Sequence, residues 1–262
     1  MQEPQHIVSR DNALIKRVRQ LAQDNTAYRK LGQVWLEGDH LCRALLARGG
    51  RPEQAIFTEA GWSRATDELR RACERNVIVP PALMAAISGL ESPADMGFLL
   101  ALPQAPLPQP GLPSIVLDRV QDAGNVGSIL RSAGAFGFRQ VLAMKGSAAL
   151  WSPKVVRAGM GAHFGLRLVE GLTPGSLSDL AVPLLVTSSH RGQWLHQAAL
   201  PWPCAWVMGH EGQGVSAQIE SMASEAVRIA QPGGEESLNV AAAAAVCLHA
   251  SAAGQLAHSQ GG

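Results

Sequence analysis

Short apolar runs alternate with helical segments through the second half of this 262-residue chain, and this alternation is the feature that most constrains the fold. The predicted strands are residues 114–117, 140–144, 183–187, 204–208 and 226–229, and the predicted helices are residues 126–136, 153–160, 215–222 and 238–253. Apolar strands that alternate with helices predict an α/β domain whose parallel sheet is covered on both faces. Ligands of such sheets bind in the loops beyond the carboxyl ends of the strands.

A proline-rich segment, residues 102–113, separates this half of the chain from the first half. Five of its twelve residues are proline, which lacks an amide donor and has a fixed φ, so the segment can join neither a helix nor a central strand. We expect an extended linker at residues 103–113 between a domain of residues 1–102 and a domain of residues 114–262. Helical and strand-like pieces also alternate before the linker, which predicts a small α/β first domain.

Composition is typical of a globular protein, with 47% hydrophobic and 16% charged residues. The net charge of +1 gives no general attraction to nucleic acid, although six basic residues stand against two acidic ones between positions 10 and 30. That local cluster is either a nucleic-acid contact or a solvated helix face. Four scattered cysteines without a CxxC pair predict neither a zinc site nor a disulfide framework, and we expect no metal.

The chain shows no apolar core of a secretion signal near its start, and we expect no stretch of about 18 apolar residues. The longest candidate, residues 240–253, is alanine-rich and contains His249 and Ser251. We interpret it as a buried helix, which leaves no membrane span and predicts a protein of the cytoplasm.

Three loops that follow predicted strands carry polar side chains beside glycines. The middle loop contains Gly209, Gly212 and Gly214, which let the backbone turn tightly and approach a ligand, and Glu211 can reach that ligand. An ordinary strand-to-helix turn explains the glycines equally well. The phosphate-binding patterns GxGxxG and GxxxxGK[ST] are absent, which disfavours an ordinary nucleotide-binding enzyme.

The other two loops combine amides, a hydroxyl and an arginine. Asn125 lies in the turn after the first strand, and Arg131 is a charged residue in an otherwise small and apolar helix, where it either stays exposed or contacts an anion. Ser237 and Asn239 precede the alanine-rich helix, and either can cap it. Because capping needs one of them, the other is free to face a substrate. Glu235 and Glu236 suit the positive end of the same helix.

Taken together, these segments resemble the TrmH (SpoU) branch of the SPOUT superfamily of RNA methyltransferases. The matching residues are Asn125-Val126-Gly127 with Arg131, then Gly209-x-Glu211-Gly212-x-Gly214, then Ser237-Leu238-Asn239-Val240. The resemblance covers the second domain. It extends less specifically to the first, through residues 29–38, which are similar to the family's ribosomal-protein-like substrate-binding domain.

The resemblance implies a trefoil-knotted domain that binds S-adenosyl-L-methionine and transfers its methyl group to a ribose 2′-hydroxyl. The residues implied to bind the cofactor are Thr187, Gly209, Ile229 and Leu238. The polar residues implied at the catalytic site are Asn125, Arg131, Glu211, Ser237 and Asn239. An arginine keeps its proton in proteins, so we assign Arg131 to positioning and to stabilising the alkoxide rather than to general-base catalysis.

The resemblance also implies an RNA partner and a homodimer in which each active site is completed across the interface. We favour rRNA over tRNA as the substrate because a separate first domain is typical of the rRNA-type members. Ala123, Gly134 and Ala241 depart from the family pattern but leave the five polar residues in place. The alternatives are a tRNA 2′-O-methyltransferase and a non-catalytic RNA-binding or assembly factor that keeps the fold.

Overall fold

The computed structural model describes residues 3–104, 106–188, 191–233 and 237–260. Within them the strands are β1 (Gln5–His6), β2 (Gln33–Glu37), β3 (Gln54–Thr58), β4 (Asn76–Val79), β5 (Met96–Ala101), β6 (Ser114–Asp118), β7 (Gln140–Met144), β8 (Arg167–Leu172), β9 (Leu184–Thr187), β10 (Gln193–Trp194), β11 (Ala205–Gly209) and β12 (Glu225–Arg228). The helices are α1 (Ala13–Gln23), α2 (Ala27–Leu31), α3 (Asp39–Ala47), α4 (Glu59–Arg64), α5 (Asp67–Arg70), α6 (Pro81–Ile87), α7 (Ala123–Ala135), α8 (Pro153–Gly159), α9 (Ala217–Glu220) and α10 (Val240–Gln260).

The chain forms two compact units. The first comprises Met1–Gln104 and Trp151–Phe164, and the second comprises Ala105–Leu150 and Gly165–Gly262. The segment Trp151–Phe164 differs from the predicted continuous domain of residues 114–262, because its helix α8 packs against β2 and α1. An apolar helix face indicates burial but not which sheet it will cover, so the sequence did not reveal this. The assignment of substrate binding to residues 1–102 and methyl transfer to residues 114–262 stays a prediction.

The first unit is built on a five-stranded mixed sheet in the order β1-β4-β3-β5-β2. Strands β1, β4 and β3 are parallel, whereas β5 runs antiparallel to both β3 and β2. The inner strands are buried along almost their whole length, with Phe57 and Phe98 fully inaccessible. This is the small α/β domain that the sequence predicts, and its likeness to a ribosomal protein stays a prediction.

The second unit contains a parallel seven-stranded sheet in the order β10-β12-β9-β11-β6-β7-β8. Val116, Val186 and Val207 point from neighbouring strands into one core cluster, which Ile219 of α9 also joins. Helix α10 packs against α7 and β11. The predicted parallel α/β sheet is confirmed.

Helix α10 differs from its prediction in length and burial. Within the described residues, its window Val240–Ala257 has a mean hydropathy of 1.5 and is long and apolar enough to cross a membrane, yet 22% of that window is buried. A single such helix is weak support for a membrane span, since helices of soluble proteins pass the same test. The expectations of no 18-residue apolar stretch and of a buried helix were therefore wrong. Alanine and valine on all sides make α10 apolar where it is exposed as well as where it packs.

Candidate functional site

Four adjacent strands bring the polar loops to one edge of the parallel sheet. In the register of β11 with β6, Gly209 stands beside Asp118, the last residue of β6. Thr187 ends β9 and stands beside Val227 of β12. Since parallel strands all end at the same edge, the loops that follow β6, β9, β11 and β12 leave the sheet together.

Asn125 joins the three motif loops by hydrogen bonds. Its Nδ2 donates to Glu211 Oε1 over 3.2 Å, and its Oδ1 accepts from Asn239 Nδ2 over 2.9 Å. Its backbone N–H donates to Asp122 Oδ1 over 2.7 Å, so Asp122 caps α7. Because of this cap, α7 begins at Ala123, and Asn125 lies in its first turn rather than in the preceding loop as predicted. The three loops, which the sequence places after predicted strands, therefore meet at one edge of the sheet.

Glu211 serves as the acceptor of this network. Besides the Asn125 amide, its carboxylate accepts from the backbone N–H groups of Asp122 over 3.1 Å and Gln121 over 3.3 Å. Partial burial raises the pKa of Glu211, but hydrogen bonds from its own N–H, from Asp122, from Asn125 and from Gln121 lower it more. The net pKa lies below the ordinary value of a glutamate, so Glu211 is an ionised acceptor at neutral pH and cannot act there as a general acid.

Asn239 is both the cap of α10 and a member of the network. Its Oδ1 accepts from the N–H groups of Ala241 over 2.9 Å and Ala242 over 3.3 Å, while its Nδ2 reaches Asn125. Of the two caps that the sequence allows, Asn239 is therefore the one used. Ser237 is exposed and lines the neighbouring cleft. Glu235 and Glu236 lie outside the described residues.

A cleft of about 930 Å³ opens beside the network. All four residues predicted to bind the cofactor line it: Thr187, Gly209, Ile229 and Leu238. A Cβ on Gly209 would lie 2.3 Å from both the carbonyl carbon of Gly214 and the nitrogen of Val215, so the loop can return over the strand end only across a glycine. The structure thus brings these residues together, and their roles stay predictions.

Arg131 stands apart from the cleft. It is exposed on α7 and is not among the residues that line the cleft in the described part of the chain. It lies six positions after Asn125 in the helix, which places it about 9 Å along the axis and about 120° around it. Within one chain, the structure therefore does not bring Arg131 to the other predicted catalytic residues.

Two residues missed by the sequence reasoning hold the glycine loop against β6. The buried Asp118 carboxylate accepts from the Ser216 N–H over 2.5 Å and from Arg119 Nε over 3.2 Å. Arg119 has a left-handed backbone (φ 62°), and its Nη1 donates to Gln213 Oε1 over 3.0 Å. A left-handed conformation at a non-glycine residue is uncommon and has no sequence signal here.

Three further residues missed by the sequence reasoning line the cleft itself: Trp194, Arg228 and Gln231. Gln231 Oε1 is buried and has no hydrogen-bond donor among the described residues. A buried acceptor without a donor costs free energy, so a ligand N–H in the cleft would satisfy it. Trp194 and Arg228 lie outside the motifs that the resemblance supplied.

Comparison with known proteins identifies the family. The model of the SpoU rRNA Methylase family matches residues 113–249. An uncharacterised tRNA/rRNA methyltransferase of Synechocystis is 32% identical over 93% of this chain and 92% of its own length. A 23S rRNA guanosine 2′-O-methyltransferase of Bacillus subtilis is 26% identical over 84% of this chain and 88% of its own length.

Solved structures share the fold of the whole chain. A TrmH-family protein from Porphyromonas gingivalis superposes with a TM-score of 0.79 and 30% identity, covering 92% of this chain and 97% of that one. The SpoU methyltransferase AviRb from Streptomyces viridochromogenes, solved in complex with AdoMet, has a TM-score of 0.83 at 22% identity and covers 94% and 98% of the two chains. The family match over residues 113–249 and the full-length Synechocystis relative agree with the three loops that meet at the sheet edge. This chain belongs to the SpoU rRNA methylase family.

Proposed function

We propose that the protein is an S-adenosyl-L-methionine-dependent RNA methyltransferase that methylates a ribose 2′-hydroxyl, with rRNA as the favoured substrate. The observation that carries the proposal is the hydrogen-bonded trio Asn125, Glu211 and Asn239 at the mouth of a cleft that contains every predicted cofactor-binding residue. The names of the relatives support RNA as the substrate, and that of the Bacillus subtilis relative specifies a 2′-O-methylation of 23S rRNA.

The cleft fits the cofactor in size and in chemistry. Its volume of about 930 Å³ lies within the range of small-molecule sites. Gly209 lets the Gly214–Val215 peptide pack directly on the end of β11 beside the cleft, and the buried Gln231 Oε1 provides an acceptor for a ligand N–H. Thr187, Ile229 and Leu238 complete the wall. When bound, S-adenosyl-L-methionine supplies an electrophilic methyl group on a sulfonium.

The polar residues of the chain would position and polarise the nucleophile. A ribose 2′-hydroxyl is a weak nucleophile at neutral pH, and general-base help contributes roughly 10²–10⁴-fold. Glu211 is ionised and already accepts three hydrogen bonds from the first motif segment, so we assign it to holding Asn125 and its loop in place. Ser237 presents an exposed hydroxyl group at the cleft. We assign Arg131 to contact with the substrate phosphate or alkoxide.

We further propose a homodimer that completes each active site across the interface. Two observations support it: Arg131 is exposed and away from the cleft of its own chain, and α10 presents apolar residues to solvent. We also propose the trefoil knot of the family, supported by β12, which lies between β9 and β10 although it follows both in the chain. We place the protein in the cytoplasm, as the sequence predicts.

The proposal is tested by titrating the protein with S-adenosyl-L-methionine and then supplying radiolabelled cofactor with rRNA or tRNA transcripts. We expect one cofactor per chain and a ribose-methylated nucleoside in rRNA after digestion. Arg131→Ala should abolish methylation while cofactor binding is kept. Arg139→Ala, which removes another exposed arginine of the same unit, should leave both unchanged.

Three other results would contradict parts of the proposal. Methylation of tRNA alone would replace the substrate. RNA binding without cofactor binding or methylation would favour the non-catalytic assembly factor. Normal turnover by Arg131→Ala would remove the role assigned to that residue.

A further inference from the structure

The rim of the cleft holds an arginine stacked on a tryptophan. Trp194 and Arg228 are cross-strand neighbours at the ends of β10 and β12. The guanidinium carbon of Arg228 lies 4.0 Å from the centroid of the Trp194 indole, and Arg228 Nε donates to the Gly192 carbonyl over 3.1 Å. Both side chains line the cleft. The ring and the carbonyl together fix the plane and the direction of the guanidinium.

The positive charge of Arg228 has no carboxylate partner among the described residues. The acidic residues that line the same cleft interact with other groups. Glu220 pairs with Arg191 over 2.6 Å, and Glu211 accepts the hydrogen bonds of the motif network. An arginine has five N–H donors, and in the described part of the chain only Nε of Arg228 has an acceptor, so the donors on the two terminal nitrogens remain for a ligand.

We infer that Arg228, held on Trp194, forms an anion subsite of the cleft that binds a carboxylate or a phosphate through two parallel hydrogen bonds. A planar guanidinium matches the paired oxygens of either group, and such charge-assisted pairs are the stronger hydrogen bonds of proteins. The inference rests on the proposed function, which supplies two sources of the anion. One is the carboxylate at the amino-acid end of the cofactor, and the other is a phosphate of the RNA strand near the target ribose.

The experiment compares Arg228→Gln with Arg228→Lys, which keeps the charge but loses the planar fork. Arg191→Gln is the matched control, since it removes a nearby cation that is already paired to Glu220. Each protein is titrated with S-adenosyl-L-methionine, with 5′-methylthioadenosine, which lacks the amino-acid end, and with an RNA transcript at several salt concentrations. Thermal melting of each variant shows whether it is folded.

If the subsite takes the cofactor carboxylate, Arg228→Gln weakens S-adenosyl-L-methionine binding about 10–100-fold and leaves 5′-methylthioadenosine binding unchanged. If it takes an RNA phosphate, cofactor binding is unchanged, RNA binding weakens, and the slope of log K against log salt falls by about 1. Whichever ligand the subsite takes, Arg228→Lys should weaken its binding less than Arg228→Gln does.

Unchanged binding of all three ligands by folded Arg228→Gln would overturn the inference. An equal loss in Arg191→Gln would also overturn it, because the effect would then be general electrostatics. Failure of the unaltered protein to bind S-adenosyl-L-methionine would instead contradict the proposed function, and the RNA titrations would still decide the inference.

Discussion

At the scale of single residues, the site depends on a close contact between two backbone segments, the end of β11 and the loop that follows it. Gly209 ends β11 with its Cα hydrogens facing the returning Gly214–Val215 peptide. Backbone atoms cannot move aside as the tip of a flexible side chain can. The glycine is therefore required by contact and not by its φ, which lies in the ordinary range.

We predict that Gly209→Ala destabilises the protein by about 1–3 kcal/mol and weakens cofactor binding, because the new methyl forces the loop of Glu211 away from the strand. Gly134→Ala is the control. Gly134 lies in α7, and a Cβ added there would meet no atom within 4 Å, so alanine should stabilise by about 0.5–1 kcal/mol. Urea unfolding and calorimetric titration measure both effects, and equal behaviour of the two variants would contradict the argument.

The sequence indicated which polar side chains gather at the edge of the sheet, and their roles stay predictions. Glycines, amides and Glu211 after apolar runs indicated the edge of the sheet, and the hydrogen bonds of Asn125 bear that out. Arg131 does not lie with them, because its position depends on which face of α7 it occupies. The left-handed Arg119 and the stack of Trp194 on Arg228 could not be predicted, because both depend on contacts between strands distant in the chain.

At the scale of elements, the strands of the second unit that have continuous apolar runs were predicted to within one or two residues, whereas β8 and β10 of that unit were missed. Those two strands stand at the edges of the sheet, and their burial is partial. An edge strand is half exposed and carries polar residues, so it shows no apolar run. The missed β10 is the element that carries Trp194, which is why no pattern in the sequence indicated the stack at the cleft.

Helix α10 links the sheet to the site at two points. Asn239 caps its first turn and bonds to Asn125, and further along the buried Ser251 Oγ accepts from Trp206 Nε1 of β11 over 2.9 Å. Burial raises the pKa of the nearby Cys204 thiol to about 11 and of the Cys247 thiol to about 12, so both thiols stay protonated at neutral pH. The hydrogen bond between Ser251 and Trp206 attaches α10 to β11, and it thereby helps to fix the helix that Asn239 caps.

We predict that Ser251→Ala lowers the free energy of unfolding by about 1–3 kcal/mol, because it leaves the indole N–H of a fully buried tryptophan without an acceptor. Ser128→Ala is the control, an exposed serine of α7 whose loss should change stability by less than about 0.5 kcal/mol. Denaturant unfolding followed by tryptophan fluorescence measures both. Equal midpoints would show that the hydrogen bond contributes nothing to the attachment of α10.

At the scale of the whole molecule, the exposed apolar residues of α10 need an explanation. Val246 is 41% exposed and Leu256 is 57% exposed, on a helix whose most apolar 18-residue window is 22% buried. Large exposed apolar surfaces mark interaction sites in soluble proteins. A second copy of the chain is the partner that we propose for this surface, because Arg131 is exposed and away from the cleft of its own chain.

We predict that the unaltered protein sediments as a dimer of twice 27.6 kDa and Val246→Glu as a monomer, since a charge in an apolar interface loses its hydration. The helix of each subunit should persist, because glutamate is a better helix former than valine. Leu107→Glu is the control, an 81% exposed leucine outside α10 that should leave the dimer intact. Sedimentation equilibrium at micromolar concentration measures the mass of each variant. A monomeric unaltered protein, or one that sediments with lipid vesicles through α10, would show that this surface serves something other than a second copy.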